Sequence, residues 1–398
     1  MQNAETVLGI IRSRGSKGLS LEEAYRQLFN LDLYLRAYGR LYRNAGAMTR
    51  GVTAETVDGM SEAKITSIID RIRHERYRWT PVRREYIPKA NGKMRPLGIP
   101  VWSDKLLQEV MRSILEAYYE PQFSENSHGF RPQHGCHTAL ADIQRAWHGT
   151  KWFIEGDIKG CFGNIDHEVL LSLLREKIRD NRFLILVSNL LEAGYLEDWR
   201  YNKTHSGTPQ GGVISPILAN IHLDRLDKYV EGTLIPEFTR GKVRKANPVY
   251  TRLFYRIRKL EKEGMTDAAR ELRKELRSYP TGDQHDPNYR RLRYVRYADD
   301  FLLGFIGPKD EAEAIKVRLK TFLSDHLKLE LSEEKTLITH ASEMARFLGY
   351  EVTIRRSAER PQLNGTLELR LPSKVLDKVC TRYMREEKPT HQIGRAHV

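Results

Sequence analysis

The chain has 398 residues, 40% hydrophobic and 30% charged, which suits two or three globular domains and excludes a disordered or fibrous protein. No run approaches the length of a membrane span, and the start, MQNAETVLGIIRSRG, lacks the apolar core of a secretory leader. A net charge of +14 favours a polyanionic partner, nucleic acid or an anionic surface, while three scattered cysteines (Cys136, Cys161, Cys380) fit a reducing cytoplasm.

In chain order, Ser20-Leu-Glu-Glu23 has capping-box spacing and is expected to open an N-terminal helix. Ile65, Ile68, Ile69 and Ile72 form one apolar stripe, so 62–74 is expected to be an amphipathic helix. Between 86 and 100, two short apolar runs flank Asn91-Gly92, the signal of a type I′ hairpin. Helical spacing returns over 104–119. WFIEGDIKGCF (152–162) reads as a strand running into a loop, followed by helices over 167–179 and 183–194. THSGTPQGGVISP (204–216) is a loop, and Ile214, Ile217, Leu218 and Ile221 begin the next helix.

The positive charge is concentrated. From Arg240 to Arg296 there are 17 Lys and Arg against 7 Asp and Glu, an excess of 10 out of the total 14. Leu253, Ile257 and Leu260 have helical spacing, Gly264 can stop that helix, and Thr266 can cap a second one ending before Pro280. A basic helical hairpin is expected over about 240–293. Arg270, Arg273, Lys274 and Arg277 are its candidate phosphate contacts, with a solvated charged face as the alternative reading. Then VRYADDFLLGF (295–305) places two adjacent carboxylates, Asp299 and Asp300, inside an apolar hairpin that would not hold them uncompensated. Residues 311–326 look helical, and 327–340 and 345–354 look like short strands.

Seven blocks in order carry a family resemblance: RPLGIP (95–100), SHGFRPQHGCHTAL (127–140), GDIKGCFGNIDH (156–167), GTPQGGVISPILANIHLD (207–224), RYADD (296–300), LELSEEKT (329–336) and FLGYEV (347–352). Together they resemble the reverse transcriptases, most closely those encoded in bacterial group II introns. The resemblance implies an α+β right-hand polymerase, with helical fingers bearing a β-hairpin and a palm whose antiparallel sheet carries the YADD hairpin. It further implies an N-terminal extension over 1–60, fingers and palm over 61–355, and a thumb beginning at 366–392. The last six residues, IGRAHV, read as the translation of a sequencing adapter, a non-native tail.

The resemblance also assigns roles. Asp157, Asp299 and Asp300 would be catalytic, holding two Mg²⁺ ions with the carbonyl of Ile158. Lys93, Arg95, Phe162, Gln210, Gly211 and Lys335 would meet the nucleotide, Phe162 as the ring that excludes a ribose 2′-hydroxyl. Arg131 would touch the template, as would Arg36 and Arg40 in the Tyr/Arg-rich 31–52 stretch. The implied partners are a group II intron RNA template, a DNA primer and dNTPs, with no membrane, and a homodimer is compatible. The rival readings are a maturase-type RNA-binding splicing cofactor, or a reverse transcriptase of a retron, diversity-generating or CRISPR-associated system.

Overall fold

A computed structural model describes residues 2–44, 46–88, 92, 94–197, 200–204, 206–207, 211–283, 286–355, 364–385 and 388–389. The chain divides into two discontinuous compact units. The first comprises Met1–Pro132, Ile158–Lys228 and Leu319–Leu331, the second Gln133–Asp157, Tyr229–Arg318 and Ser332–Val398.

The first unit is mainly helical, around one large apolar core. Its centre is the helix Trp102–Tyr119, where Trp102, Leu106, Leu107, Val110, Met111, Ile114 and Leu115 are all buried. The expected isoleucine stripe lies on Glu62–Arg73, capped by Ser61, with all four isoleucines in the core. The helices His167–Lys177, Asn181–Glu192 and Ser215–Tyr229 also lie where apolar spacing places them. The Ser20 capping box does not form. Ser20 Oγ donates to Glu22, and the short helix Ala24–Gln27 begins after Glu23 in a left-handed conformation (φ 55°) with no side-chain cap. The true N-terminal helix is Ala4–Ser16, whose cap Asn3 accepts a hydrogen bond from the Thr6 amide. Strands Val82–Pro88 and Met94–Ile99 form the expected hairpin, but their ladder closes at Pro88 opposite Met94. The expected Asn91-Gly92 turn falls within 89–93. Of these residues only Gly92 (φ 78°) is described, so Asn91 and Lys93 lie outside the described residues.

The second unit is built on an antiparallel sheet. Strand Asp300–Ile306 is central, pairing with Arg291–Tyr297 on one side and Trp152–Asp157 on the other, and Trp152–Asp157 also pairs with Ile338–His340. The Cys136–Ala146 helix and the strands Ala345–Phe347, Tyr350–Ile354 and Leu367–Arg370 add residues to a core over one sheet face, with Phe153, Val295 and Leu302. Two strand expectations need correction. Residues 345–354 are a hairpin rather than one strand, because Leu348 (φ 52°) and Gly349 (φ 81°) both turn left-handed. Residues 327–340 are mostly not strand. The Ser332 carbonyl accepts from the Lys335 and Thr336 amides, making a turn ahead of Ile338–His340. The basic insertion forms as expected, with helices Pro248–Lys262 and Thr266–Leu276 joined through Gly264 (φ 75°), although Met265 rather than Thr266 sits at the cap position.

Candidate active site

The two adjacent aspartates sit where a hairpin turns. Tyr297 pairs with Asp300, leaving Ala298-Asp299 as a two-residue loop. Ala298 is left-handed (φ 54°), a conformation that costs an L-residue roughly 1 kcal/mol and needs support. Arg296 supplies it. This arginine is fully buried at the end of its strand, and its guanidinium donates to the Ala298 carbonyl at 2.8 Å. Arg296→Met keeps the bulk but removes that donor. Losing a charged donor to a buried carbonyl costs about 2 kcal/mol, so primer extension should fall at least about tenfold with the fold retained. Unchanged extension in a folded variant would show that the turn holds itself.

The sheet register then sets the carboxylates. Asp157 ends its strand directly opposite Asp300, and Gly156 lies opposite Phe301. Side chains directly opposite have Cβ atoms only about 5 Å apart, and like charges in that relation destabilise a sheet. Burial, followed by the negative charges of Asp299 and Asp157, pushes the Asp300 carboxyl up to about 7. The turn after Ser332 brings in a counter-charge. Lys335 Nζ lies 2.9 Å from each carboxylate oxygen of Asp157, which holds the ammonium above its usual range. The Asp157 carbonyl accepts from the Ser332 amide at 2.8 Å, fixing both ends of this contact.

Among the described residues, no three His, Cys, Asp or Glu side chains are gathered closely enough to hold a metal ion. The donor chemistry nonetheless suits a hard divalent cation. The donors are all carboxylates, and burial together with the negative charges of Asp299 and Asp157 raises Asp300 to about 7, a cost that a bound cation would offset.

In the first unit, Phe162 lies on the short helix Cys161–Asn164 and packs against the main core. Phe130 meets its ring edge-on at 5.9 Å and 83°. The glycine loop presses on both neighbours. A Cβ on Gly207 would meet the Gly163 carbonyl oxygen at 2.6 Å, and one on Gly211 the Gly98 carbonyl oxygen at 2.7 Å. Gly207 thus lies against the turn carrying Phe162, and Gly211 against the strand Met94–Ile99, on which Arg95 is exposed. Gln210 lies outside the described residues. The Ile158 backbone bridges to Leu331, and its side chain is buried.

The candidate RNA-contacting arginines differ in their surroundings. Arg131 is buried, paired with Glu120 at 3.0 Å, bonded to the Ser124 and Ser127 carbonyls, and set over the Phe123 ring. Its guanidinium is thus engaged inside its own unit. Arg40 is exposed but lies 3.4 Å from the buried Glu109, whereas Arg36, one turn earlier on Leu31–Tyr42, is exposed. Arg270 and Arg277 are exposed, while Arg273 pairs with Glu261 and Lys274 with Glu271. Sequence reasoning missed Arg296 and Gly156. The clue was position: a charged residue at a buried strand site, and a glycine inside a strand.

The chain is similar to known proteins. The family described as reverse transcriptase (RNA-dependent DNA polymerase) matches residues 87–243. The group II intron-encoded protein LtrA of Lactococcus lactis subsp. cremoris is 48% identical over 371 residues, 89% of this chain and 61% of that protein. A 91 kDa protein in the cob intron of Schizosaccharomyces pombe is 42% identical over 345 residues, 86% of this chain and 42% of that one. YkfC of Escherichia coli is 33% identical over 322 residues, 78% of each. The chain therefore spans less than two thirds of the length of the two intron-encoded relatives. No helix among the described residues is long and apolar enough to cross a membrane.

Proposed function

We propose that this chain, which belongs to the reverse transcriptase family and within it to the group II intron-encoded proteins, is an RNA-directed DNA polymerase. It would extend a DNA primer on intron RNA with dNTPs, in the cytoplasm, in the service of intron retrohoming. The observation that carries this reading is the Asp157–Asp300 pair, set opposite each other with Asp299 on the adjoining turn. A sheet gains nothing from such a pair unless a cation offsets it.

Reverse transcriptases work with divalent metal ions. Two Mg²⁺, held by Asp157, Asp299 and Asp300 with the Ile158 carbonyl, would activate the primer 3′-hydroxyl and neutralise the triphosphate and departing pyrophosphate. The protein's own part is placement. Arg296 fixes the turn so that Asp299 cannot swing away. Lys335 brings a positive charge to the carboxylates that triphosphate oxygens can share. Lys93 and Arg95 of the fingers hairpin would bind the phosphates, and Gln210 and Gly211 would border the sugar. Arg36 on the N-terminal helix would meet template phosphate.

Phe162 would exclude the ribose 2′-hydroxyl, and Phe130 against its edge limits where the ring can go. Phe162→Ala should raise ribonucleotide incorporation relative to deoxynucleotide by at least about tenfold, since one small group in a pocket discriminates by that order. Competing dNTP and rNTP in single-nucleotide extension measures it. An unchanged ratio would return Phe162 to the core.

The test of the whole reading is RNA-templated primer extension. A chain that binds the primer–template but leaves the primer unextended in the presence of Mg²⁺ would overturn it.

A further inference from the structure

The basic hairpin carries a feature that charge alone does not explain. Its two helices bury a seam of Leu253, Ile257 and Ala269. Beside that seam on Pro248–Lys262, Tyr250, Phe254 and Arg258 follow one another at four-residue spacing, which aligns them on one face. The Tyr250 and Phe254 rings are 6.4 Å apart and within 10° of parallel, and the Arg258 guanidinium lies 5.0 Å from the Phe254 centroid. Tyr255 stands edge-on to Phe254 at 5.9 Å and is 66% exposed. Tyr250 is half-buried and Phe254 is 36% exposed, while aliphatic side chains fill the seam itself. Exposed aromatics on a polar helix are unfavourable unless a partner covers them.

The charges divide the same way. On the second helix Arg273 pairs with Glu261 and Lys274 with Glu271. On the first, Arg252, Arg256 and Arg258 make no ion pair among the described residues. Uncommitted cations therefore stand beside the exposed rings. A flat stack of rings and guanidinium flanked by positive charge suits unpaired bases, which have free π faces and a phosphate beside each. A duplex, whose bases already stack on one another, can use only the charge.

We propose that the Tyr250–Phe254–Arg258 ladder, with Tyr255, is a stacking site for unpaired bases of single-stranded RNA. It rests on the reading that this hairpin meets RNA, and narrows it from backbone contact to base contact. The ligand is recognised by its exposed bases rather than by sequence.

The full chain is tested with a short single-stranded RNA carrying 2-aminopurine and with a duplex of the same sequence. Phe254→Leu with Tyr255→Leu keeps apolar bulk and removes the rings. It should weaken single-strand binding about tenfold or more and abolish 2-aminopurine quenching. Duplex affinity and salt dependence should not change. Phe254→Tyr, which keeps a ring, should retain quenching. In a separate arm, Arg270, Arg273, Lys274 and Arg277 are changed to Gln. If the hairpin contacts phosphate, this flattens the log–log salt slope by about 0.7 per lost contact on single strands and 0.9 on duplex. A flattened slope with no effect of the leucine pair would overturn the stacking site and leave the hairpin an RNA surface. No effect in either arm would overturn both. A leucine pair that changes only the sedimentation of the protein would make this face a contact between copies, and the stacking site would fall.

Discussion

Asp299→Asn is expected to lower RNA-templated primer extension about a thousandfold or more, with RNA binding intact. The asparagine fits the same space on the same turn. The Arg296 guanidinium still holds the Ala298 carbonyl in the variant. What is lost is one full negative charge beside the Asp157–Asp300 pair. Hard divalent cations bind through such charges, and a loss of about 4 kcal/mol at the transition state corresponds to that factor. RNA binding persists because the basic surface lies in other parts of the chain: 10 of the 14 excess positive charges fall between Arg240 and Arg296. Single-nucleotide extension measures the first quantity and filter binding the second. Extension within tenfold of the parent would remove Asp299 from the metal site.

The second large effect is structural and comes from a residue with no chemistry. Gly156→Ala should unfold or strongly destabilise the sheet. A Cβ built on Gly156 would lie 2.1 Å from two ring carbons of Phe301, its cross-strand partner. That ring is fully buried and cannot move out to solvent. Overpacking a filled core costs about 1–3 kcal/mol, and contacts this close belong at or beyond the upper end. Any strand shift that relieves the clash also moves Asp157 and Asp300, the neighbouring pair in the ladder. Lower thermal stability and lost extension should therefore occur together. Phe301→Leu should recover part of the stability in the double variant, as two residues in contact require. An unchanged melting temperature in Gly156→Ala would show that the ring has space the structure does not show.

Much of this was legible in the sequence, for identifiable reasons. Apolar stripes locate helices, so Ile65, Ile68, Ile69 and Ile72 placed theirs directly. The YADD hairpin was visible because two charges interrupt an apolar run. The Asp157–Asp300 register was not visible, because pairing across 142 intervening positions leaves no mark in local spacing. Lys335 was suspected from its block. Its contact with Asp157, however, depends on the Ser332 turn, which breaks a segment whose alternation reads as strand. The partners of Arg131, Glu120 and two carbonyls, were not visible, because a motif arginine looks the same in sequence whatever it faces. Leu348 hid a hairpin because leucine rarely turns left-handed, and only the following glycine hinted at it.

The account stands or falls on templated DNA synthesis. The direct measurement is extension of a DNA primer on RNA templates that differ in the first unpaired base, with each dNTP supplied singly, in Mg²⁺ and then in excess chelator. The predicted result is that only the complementary dNTP is added to each template, that the chelator stops addition, and that Asp157→Asn stops it equally. Addition that ignores the template base, or folded protein that binds primer–template in Mg²⁺ and adds nothing, would contradict it.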